Sequence, residues 1–193
     1  MSKIKSKLAI FDLDGTLFDT RLVNFFSYRQ ALHEEGYSLS LEFYVSSCDG
    51  KNYKDYLPLL IENPKDELME RIHNRKEQLY PDYLPKAAVN EHLFNLIRLM
   101  SPEYYISIVT TASGKNCTDI LDHFDKTKVF ELIIAQEDVT RCKPDPEGFL
   151  KAMDYFNVSK ENTVIFEDSS TGIEAARSSG ASVLVTLDFT GTP

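Results

Sequence analysis

The sequence lacks four features that would point to particular classes of protein. No apolar run approaches the ~20 residues of a membrane span, and the basic N-terminal residues precede no long apolar region of the kind found in signal peptides. Basic residues are outnumbered, 21 to 30, so the net charge is −9, which disfavours a general nucleic-acid binder. The three cysteines have neither metal-ligand nor CxxC spacing, as is typical of free thiols in a reducing compartment. We therefore expect a cytoplasmic protein that binds neither membranes nor nucleic acid.

The chain nevertheless contains enough apolar sequence for a folded core. Of its 193 residues, 42% are hydrophobic and 11% aromatic, which is typical of a globular protein and argues against disorder. That length accommodates one sizeable domain, or a core domain with an insert. We find no internal repeat and no low-complexity tract.

The most informative stretch is Leu8–Thr20, with the sequence LAIFDLDGTLFDT. A short apolar run ends at Phe11 and is followed by Asp12, Asp14 and a glycine-containing turn, which predicts a buried strand of a parallel sheet. Two carboxylates on one face repel each other unless a cation or a shared proton compensates. Hard divalent cations prefer such oxygen ligands. Taken alone, the pattern indicates either a metal site or a strand-end turn whose carboxylates only bind backbone amides.

Further along the chain, short apolar segments alternate with helical patterns. Four more strands are predicted, at residues 105–109, 131–135, 163–166 and 182–186, and a helix over 88–100 precedes the first of them. Strands that alternate with helices predict an α/β fold with a Rossmann-like, doubly wound parallel sheet.

The segment after the first strand interrupts this alternation. Its pattern is helical with no clear strand, and it includes a helix over residues 65–80 that should end before Pro81. We therefore expect an α-helical insert, residues 18–85, in a core domain formed by residues 1–17 and 86–193.

Four polar clusters fall at or just beyond the ends of predicted strands. They are Asp12/Asp14, Thr110, Lys143 and Glu167/Asp168. Since parallel strands of one sheet share a direction, their carboxyl ends meet at one edge. Each cluster alone has an ordinary structural explanation, such as a strand-end hydroxyl, a surface lysine or an acidic helix cap. Chance rarely places all four after strands in this order, so we expect a single site.

These motifs resemble those of the haloacid dehalogenase-like hydrolase superfamily. DLDGT after an apolar strand is similar to the first motif, and KPDP and VIFEDSSTG are similar to the third and fourth. The resemblance extends to the subgroup with a helical cap after the first motif, which includes phosphoglycolate phosphatases and β-phosphoglucomutases. It covers all four motifs and most of the chain outside the insert.

The resemblance implies a role for each motif residue. Asp12 would be the nucleophile, Asp14 the general acid/base, and Lys143 the cation that steadies the nucleophile and the transferring group. The hydroxyl of Thr110 would bind the phosphoryl group. Loop amides would bind it as well, namely those of Leu13, Thr111 and Ala112.

The implied cofactor is Mg²⁺. Its ligands would be Asp12, the backbone carbonyl of Asp14, and Asp168, with Glu167 binding either directly or through water. Such oxygen ligands suit a hard divalent cation.

The insert corresponds to the cap of the resembled subgroup. Its loop at Asp49–Asn52 resembles the cap loop that faces the active site in related enzymes. Lys51 and Asn52 are therefore candidates for substrate binding, although solvated loop residues explain the same sequence equally well.

The function implied by the resemblance is a Mg²⁺-dependent phosphatase that hydrolyses a small phosphomonoester through an aspartyl-phosphate. Two alternatives stay open: a β-phosphoglucomutase-like sugar phosphomutase, and a non-catalytic binding protein on the same scaffold. The expected partner is a small phosphorylated metabolite. We expect a monomer or a homodimer, the latter if the short sequence after the fifth strand leaves a sheet edge for a second copy.

Overall fold

The computed structural model describes residues 5–186 and 189. Its strands are β1 Lys7–Phe11, β2 Phe18–Asp19, β3 Ala88–Val89, β4 Tyr104–Val109, β5 Leu132–Ile134, β6 Thr163–Glu167 and β7 Ser182–Val185. Its α-helices are α1 Arg21–Glu34, α2 Leu41–Phe43, α3 Tyr53–Tyr56, α4 Asp66–Tyr83, α5 Glu91–Met100, α6 Gly114–His123, α7 Glu147–Phe156 and α8 Ser170–Ser179. A π-helical turn, Tyr44–Cys48, and several 3₁₀ turns lie between these elements.

Five of the strands form a parallel sheet in the order β5-β4-β1-β6-β7. After β1, the chain forms β4 and β5 on one side of that strand. It then crosses to the other side of β1, where it forms β6 and β7. The predicted doubly wound α/β sheet is confirmed. In such sheets, ligands bind at the carboxyl ends of the strands, where the strand order reverses.

The central strand β1 is buried because both faces of the sheet are covered. Leu8 and Ile10 are fully buried in a cluster that includes Phe149 of α7. Phe11 is also fully buried, and its ring stacks on that of Phe166 with centroids 4.5 Å apart. Burying side chains of this size contributes about 1.5–3 kcal/mol each. Apolar packing therefore fixes the strand that carries Asp12 at its end.

The structure divides into two compact units, of which one is Thr20–Ala87 and the other comprises the rest of the described chain. Within Thr20–Ala87, helices α1 and α4 pack together around a core that contains the fully buried Leu32, Leu57 and Ile72. This division lies within two residues of the boundaries expected from sequence. That the helical unit acts as a cap stays a prediction.

Two short strands were not expected from the sequence. β2 pairs with β3 in antiparallel fashion, with Phe18 opposite Val89. The helix expected over 88–100 consequently begins later, at Glu91, where the side chain of Asn90 accepts a hydrogen bond from the amide of Leu93. A two-residue strand is defined by its distant partner and is too short to show a periodic pattern.

The helix expected to end before Pro81 continues to Tyr83. Pro81 lies in the last turn of α4, so the hydrogen bond lost with its amide and the crowding at its ring affect only the end of the helix. Leu79 and Tyr80 are buried just before it, so packing holds this turn despite the proline.

Within the described ranges, no helix combines the length and apolarity needed to cross a membrane. The sequence at Thr190–Pro193, on which the expectation of an open sheet edge depended, lies outside the described residues.

Candidate active site

Strand register places three groups side by side at the carboxyl edge of the sheet. Phe11 of β1 lies opposite Ile108 of β4 and Phe166 of β6. The residues that follow Phe11, Ile108 and Phe166 are Asp12, Val109 and Glu167, which therefore also lie side by side. The amide of Asp12 donates to the carbonyl of Phe166 at 3.0 Å, which continues the pairing past the end of β1.

Lys143 binds all three of these groups. Its Nζ donates to Asp12 Oδ1 at 2.5 Å, to Glu167 Oε1 at 2.6 Å and to the carbonyl oxygen of Val109 at 2.9 Å. An ammonium has three donors, and each has an acceptor here. Only 6% of the Lys143 side chain is exposed, so the ion pairs are largely shielded from water. The structure thus brings the first, third and fourth motifs into direct contact.

Glu167 is fully buried and engaged at both oxygens. Its Oε2 accepts hydrogen bonds from the amide and the hydroxyl of Ser169, both at 3.0 Å. Ser169 is the N-cap of α8, where its hydroxyl accepts from the amide of Gly172. Glu167 therefore links Lys143 to the start of α8. Ser169 was not among the residues predicted from the sequence, although a serine just before a helical pattern is a recognised N-cap signal.

Asp168 is held by the turn that follows β1. The hydroxyl of Thr16 donates to Asp168 Oδ1 at 2.7 Å. Gly15 adopts a φ of +88°, and a Cβ atom there would lie 2.2 Å from Asp168 Oδ2. Only glycine therefore allows this close approach of the turn to the carboxylate.

The carboxylates form a compact group that suits a divalent cation. One oxygen from each of Asp12, Glu167 and Asp168 lies within 4.8 Å of the others. Three acidic groups face the single ammonium of Lys143, so the cluster carries an excess of negative charge. Carboxylate oxygens are the ligands that hard divalent cations prefer, and these residues fit such a metal.

Burial and crowding shift the pKa values of this group. Burial raises the pKa of Asp12 well above its usual range, the charge of Lys143 opposes this shift, and Glu167 and Asp168 reinforce it. Burial also raises the pKa of Asp168 to about 6, against the opposing hydrogen bond from Thr16. Burial opposes protonation of Lys143, but Asp12 and Glu167 together raise its pKa. A bound cation would relieve the repulsion among the carboxylates.

Asp14 lies in the turn after β1 and is half-buried. Its backbone pairs with that of Phe18. Among the described residues, its carboxylate is not part of the compact group formed by Asp12, Glu167 and Asp168. This is compatible with the expectation that Asp14 offers a metal its backbone carbonyl and keeps its carboxylate for proton transfer.

Thr110 is buried at the end of β4, next to Val109. Its amide donates to the carbonyl of Ile134, and its hydroxyl oxygen accepts from the amide of Ala112 at 3.0 Å. The Ala112 amide therefore has a partner inside the loop, and its expected role in binding a phosphoryl group stays a prediction. Thr111 is exposed, and its role stays a prediction.

Lys51 and Asn52 lie in the helical unit and have local partners. Lys51 Nζ donates to the carbonyl of Ser47 at 3.0 Å. The Asn52 side chain accepts from the amide of Lys54 and caps α3. These contacts explain both residues structurally, so a role in substrate binding stays a prediction.

Comparison with known proteins gives matches along nearly the whole chain. Residues 9–186 match the family model described as haloacid dehalogenase-like hydrolase. A phosphorylated carbohydrates phosphatase from Thermotoga maritima is 29% identical over 176 residues, which cover 89% of this chain and 80% of that protein.

Solved structures show the same fold. CbbY from Rhodobacter sphaeroides, in complex with phosphate, matches with a TM-score of 0.83 and 22% identity over 95% of this chain and 87% of that chain. A Thermotoga maritima protein provisionally described as a β-phosphoglucomutase matches with a TM-score of 0.70 and 25% identity, over 94% and 87% of the two chains. The resemblance noted from the motifs is thus confirmed.

Gly172→Ala should destabilise the protein. A Cβ at this position would lie 1.8 Å from Glu167 Oε1 and 2.0 Å from its Cδ, so the buried carboxylate would have to move. Overpacking of this kind costs about 1–3 kcal/mol, measurable by urea unfolding. Gly114→Ala is the matched control, because its Cβ would make only an ordinary 3.7 Å contact. Equal stabilities of the two variants would contradict the placement of Glu167.

Asp168→Asn should stabilise the metal-free protein at neutral pH. Since the folded-state pKa of Asp168 is raised to about 6 from 3.8, its ionised form destabilises the folded state above pH 6. The effect should decline as the pH falls from 6 and disappear below 3.8, because both states then bind the proton. We expect a gain of about 1–3 kcal/mol at pH 7.5, measured by urea unfolding in EDTA.

The exposed Asp154 supplies the control for this measurement. Asp154→Asn should leave the unfolding free energy within about 0.5 kcal/mol of the native value at both pH values. An Asp168→Asn variant that is less stable than the native protein at pH 7.5 would contradict the repulsion inferred at the site.

Proposed function

Because the chain belongs to the haloacid dehalogenase-like hydrolase family, we propose that it is a phosphatase that hydrolyses a small phosphomonoester, such as a phosphorylated carbohydrate. The observation that carries this proposal is the contact of Lys143 Nζ with Asp12 Oδ1 at 2.5 Å, inside a group of three carboxylates. A carboxylate, an ammonium and a cation-binding group meet at one strand edge. These are the groups that phosphoryl transfer needs.

In the proposed reaction, the carboxylate of Asp12 attacks phosphorus and the P–O bond to the leaving group breaks. Asp14 donates its proton to the departing oxygen, and the products of this step are the free alcohol and an aspartyl-phosphate. Asp14 then takes a proton from a water molecule, which attacks phosphorus. The acyl phosphate P–O bond breaks, and inorganic phosphate and the original Asp12 carboxylate are released.

Lys143 and Thr110 would stabilise the transferring group. The ammonium of Lys143 favours the ionised form of Asp12 and would offset charge on the phosphoryl oxygens. The Thr110 hydroxyl already accepts from Ala112. Since a hydroxyl can donate as well as accept, it can give its proton to a phosphoryl oxygen.

We propose Mg²⁺ as the cofactor. Asp12, Asp168 and the carbonyl of Asp14 would hold the ion, with Glu167 taking part directly or through water. When bound, the ion supplies the positive charge that allows a phosphate anion to approach these carboxylates. The contacts of Glu167 with Lys143 and Ser169 favour the indirect role for Glu167.

We further propose that the helical unit closes over the substrate and excludes water, with Lys51 and Asn52 contacting the group that carries the phosphate. The substrate would be a small metabolite rather than a nucleic acid or a lipid surface.

The three cysteines are unpaired, which fits a reducing cytoplasm. A monomer or a homodimer is compatible with this function.

Asp12→Asn should abolish hydrolysis of p-nitrophenyl phosphate in the presence of Mg²⁺. The neutral amide is a poor nucleophile, so we expect kcat to fall by at least about 10³-fold, as measured by release of p-nitrophenolate. The control is Asp154→Asn, which makes the same change at an exposed acidic residue and should keep native activity. Turnover by the Asp12→Asn variant at the native rate would exclude the proposed mechanism.

Mg²⁺ should stabilise the folded protein. At about 100 times its Kd, the ion should raise the free energy of unfolding by about 2.7 kcal/mol, measured by urea unfolding with and without EDTA. Asp168→Asn should lose most of this gain, because one carboxylate of the group is removed. Equal stabilisation of both proteins would place the metal elsewhere.

The second candidate function is a sugar phosphomutase. It is favoured by the similarity to the Thermotoga maritima protein provisionally described as a β-phosphoglucomutase. The groups at the strand edge serve both reactions, which differ in whether water or the substrate accepts the phosphoryl group. Incubation with a hexose 1-phosphate, followed by product analysis, separates them: free phosphate supports the phosphatase and an isomerised sugar phosphate supports the mutase.

A further inference from the structure

Lys143 lies in a segment that has no helix or strand of its own. Residues 139–146 connect a short 3₁₀ turn to α7 without regular secondary structure. Yet the Nζ of Lys143 reaches three acceptors within 2.9 Å. Such placement requires that something else hold the backbone of this loop.

The carboxylate of Glu147 holds the start of this loop, and an ion pair between Arg141 and Asp145 at 3.0 Å also spans it. Glu147 Oε1 accepts from the amide of Thr140 at 2.9 Å, and Oε2 accepts from the amide of Arg141 at 3.0 Å. These amides lie three and two residues before Lys143. Only 16% of the Glu147 side chain is exposed. The side chain of the first residue of α7 thus binds the backbone at the start of the loop, at Thr140 and Arg141.

Neighbouring residues hold Glu147 in this position. Lys151, one turn further along α7, donates to Glu147 Oε1 at 2.8 Å and to the carbonyl of Asp138 at 2.7 Å. The amide of Glu147 donates to the carboxylate of Asp145. At the end of the loop, the amide of Asp145 donates a hydrogen bond to the carbonyl of Cys142 and closes a turn. Hydrogen bonds therefore hold the backbone on both sides of Lys143.

The arrangement needs an ionised carboxylate. The hydrogen bond from Lys151, followed by that from the Thr140 amide, lowers the pKa of Glu147 to about 2. Glu147 is then charged at any pH near neutrality, with two oxygens that only accept. A glutamine has the same shape, but one of its two terminal atoms is a nitrogen that only donates. In this position it would bind one of the two amides and repel the other.

We propose that Glu147 is a positioning residue that sets the distance between the Lys143 ammonium and Asp12, without itself contacting the substrate. Its effect on the reaction rests on the proposed phosphatase function, because it acts through Lys143. Glu147→Gln should therefore impair the chemical step more than substrate binding.

The competing explanation is that Glu147 serves only the stability of α7. An acidic residue in the first turn of a helix interacts favourably with the helix dipole. Glu91 occupies the corresponding first position of α5, and 63% of its side chain is exposed. Glu91→Gln is therefore the matched control, since it removes the same charge from the same helical position.

The experiment compares native protein, Glu147→Gln and Glu91→Gln by two measurements. The first is the ¹⁵N–¹H cross-peak of the Lys143 ammonium in lysine-labelled protein, assigned by its loss in Lys143→Met. The second is kcat and KM for p-nitrophenyl phosphate with Mg²⁺. For Glu147→Gln we expect a shifted or lost cross-peak, a kcat lower by about 10- to 100-fold, and a KM within about threefold of native. Glu91→Gln should change neither measurement.

A Glu147→Gln variant whose Lys143 cross-peak and kcat match the native protein would overturn the proposal. So would equal losses in Glu147→Gln and Glu91→Gln. If Glu147→Gln does not fold, Glu147→Asp gives the same test, because its shorter side chain keeps the charge but does not reach both amides. The cross-peak is read without substrate. Absence of turnover in the native protein would therefore reject the phosphatase function and leave the test of Glu147 intact.

Discussion

The structure of the site depends on one buried ammonium. Removing Lys143 from water is costly, and the cost is offset only if each of its donors is paired. The acceptors come from the ends of three adjacent strands, since Val109 closes β4, Asp12 follows β1 and Glu167 closes β6. The ammonium therefore links the ends of three adjacent strands. The strand order in turn decides which acceptors the ammonium can reach.

The same site carries more negative charge than the lysine can balance. Burial and the neighbouring carboxylates raise the pKa values of Asp12 and Asp168, which means that the folded protein holds these groups at some cost in stability. Such a cost is typical of binding sites, where the missing charge is supplied by a ligand. A divalent cation and the ammonium together would balance the cluster and leave it ready for a phosphate anion.

Much of this site was predictable because parallel strands bring their carboxyl ends together. An apolar run followed by Asp12 or by Glu167 and Asp168 places a carboxylate at a strand end, whatever the strand order. The parts that were not predicted have no periodic signature. The pairing of β2 with β3, the continuation of α4 through Pro81 and the engagement of the Ala112 amide all depend on packing or on local hydrogen bonds.

By itself, the sequence determined which chemical groups the protein carries and that they follow buried strands, because apolar runs and turn residues are local signals. Only the tertiary structure decided which groups meet. Lys143 and Asp12 are 131 positions apart in the chain, and their contact follows from the register of β1 with its two neighbours. The contact also depends on the loop that carries Lys143, whose backbone is held by hydrogen bonds to Glu147. Contacts over such separations arise from the packing of the whole sheet, which no short stretch of sequence encodes.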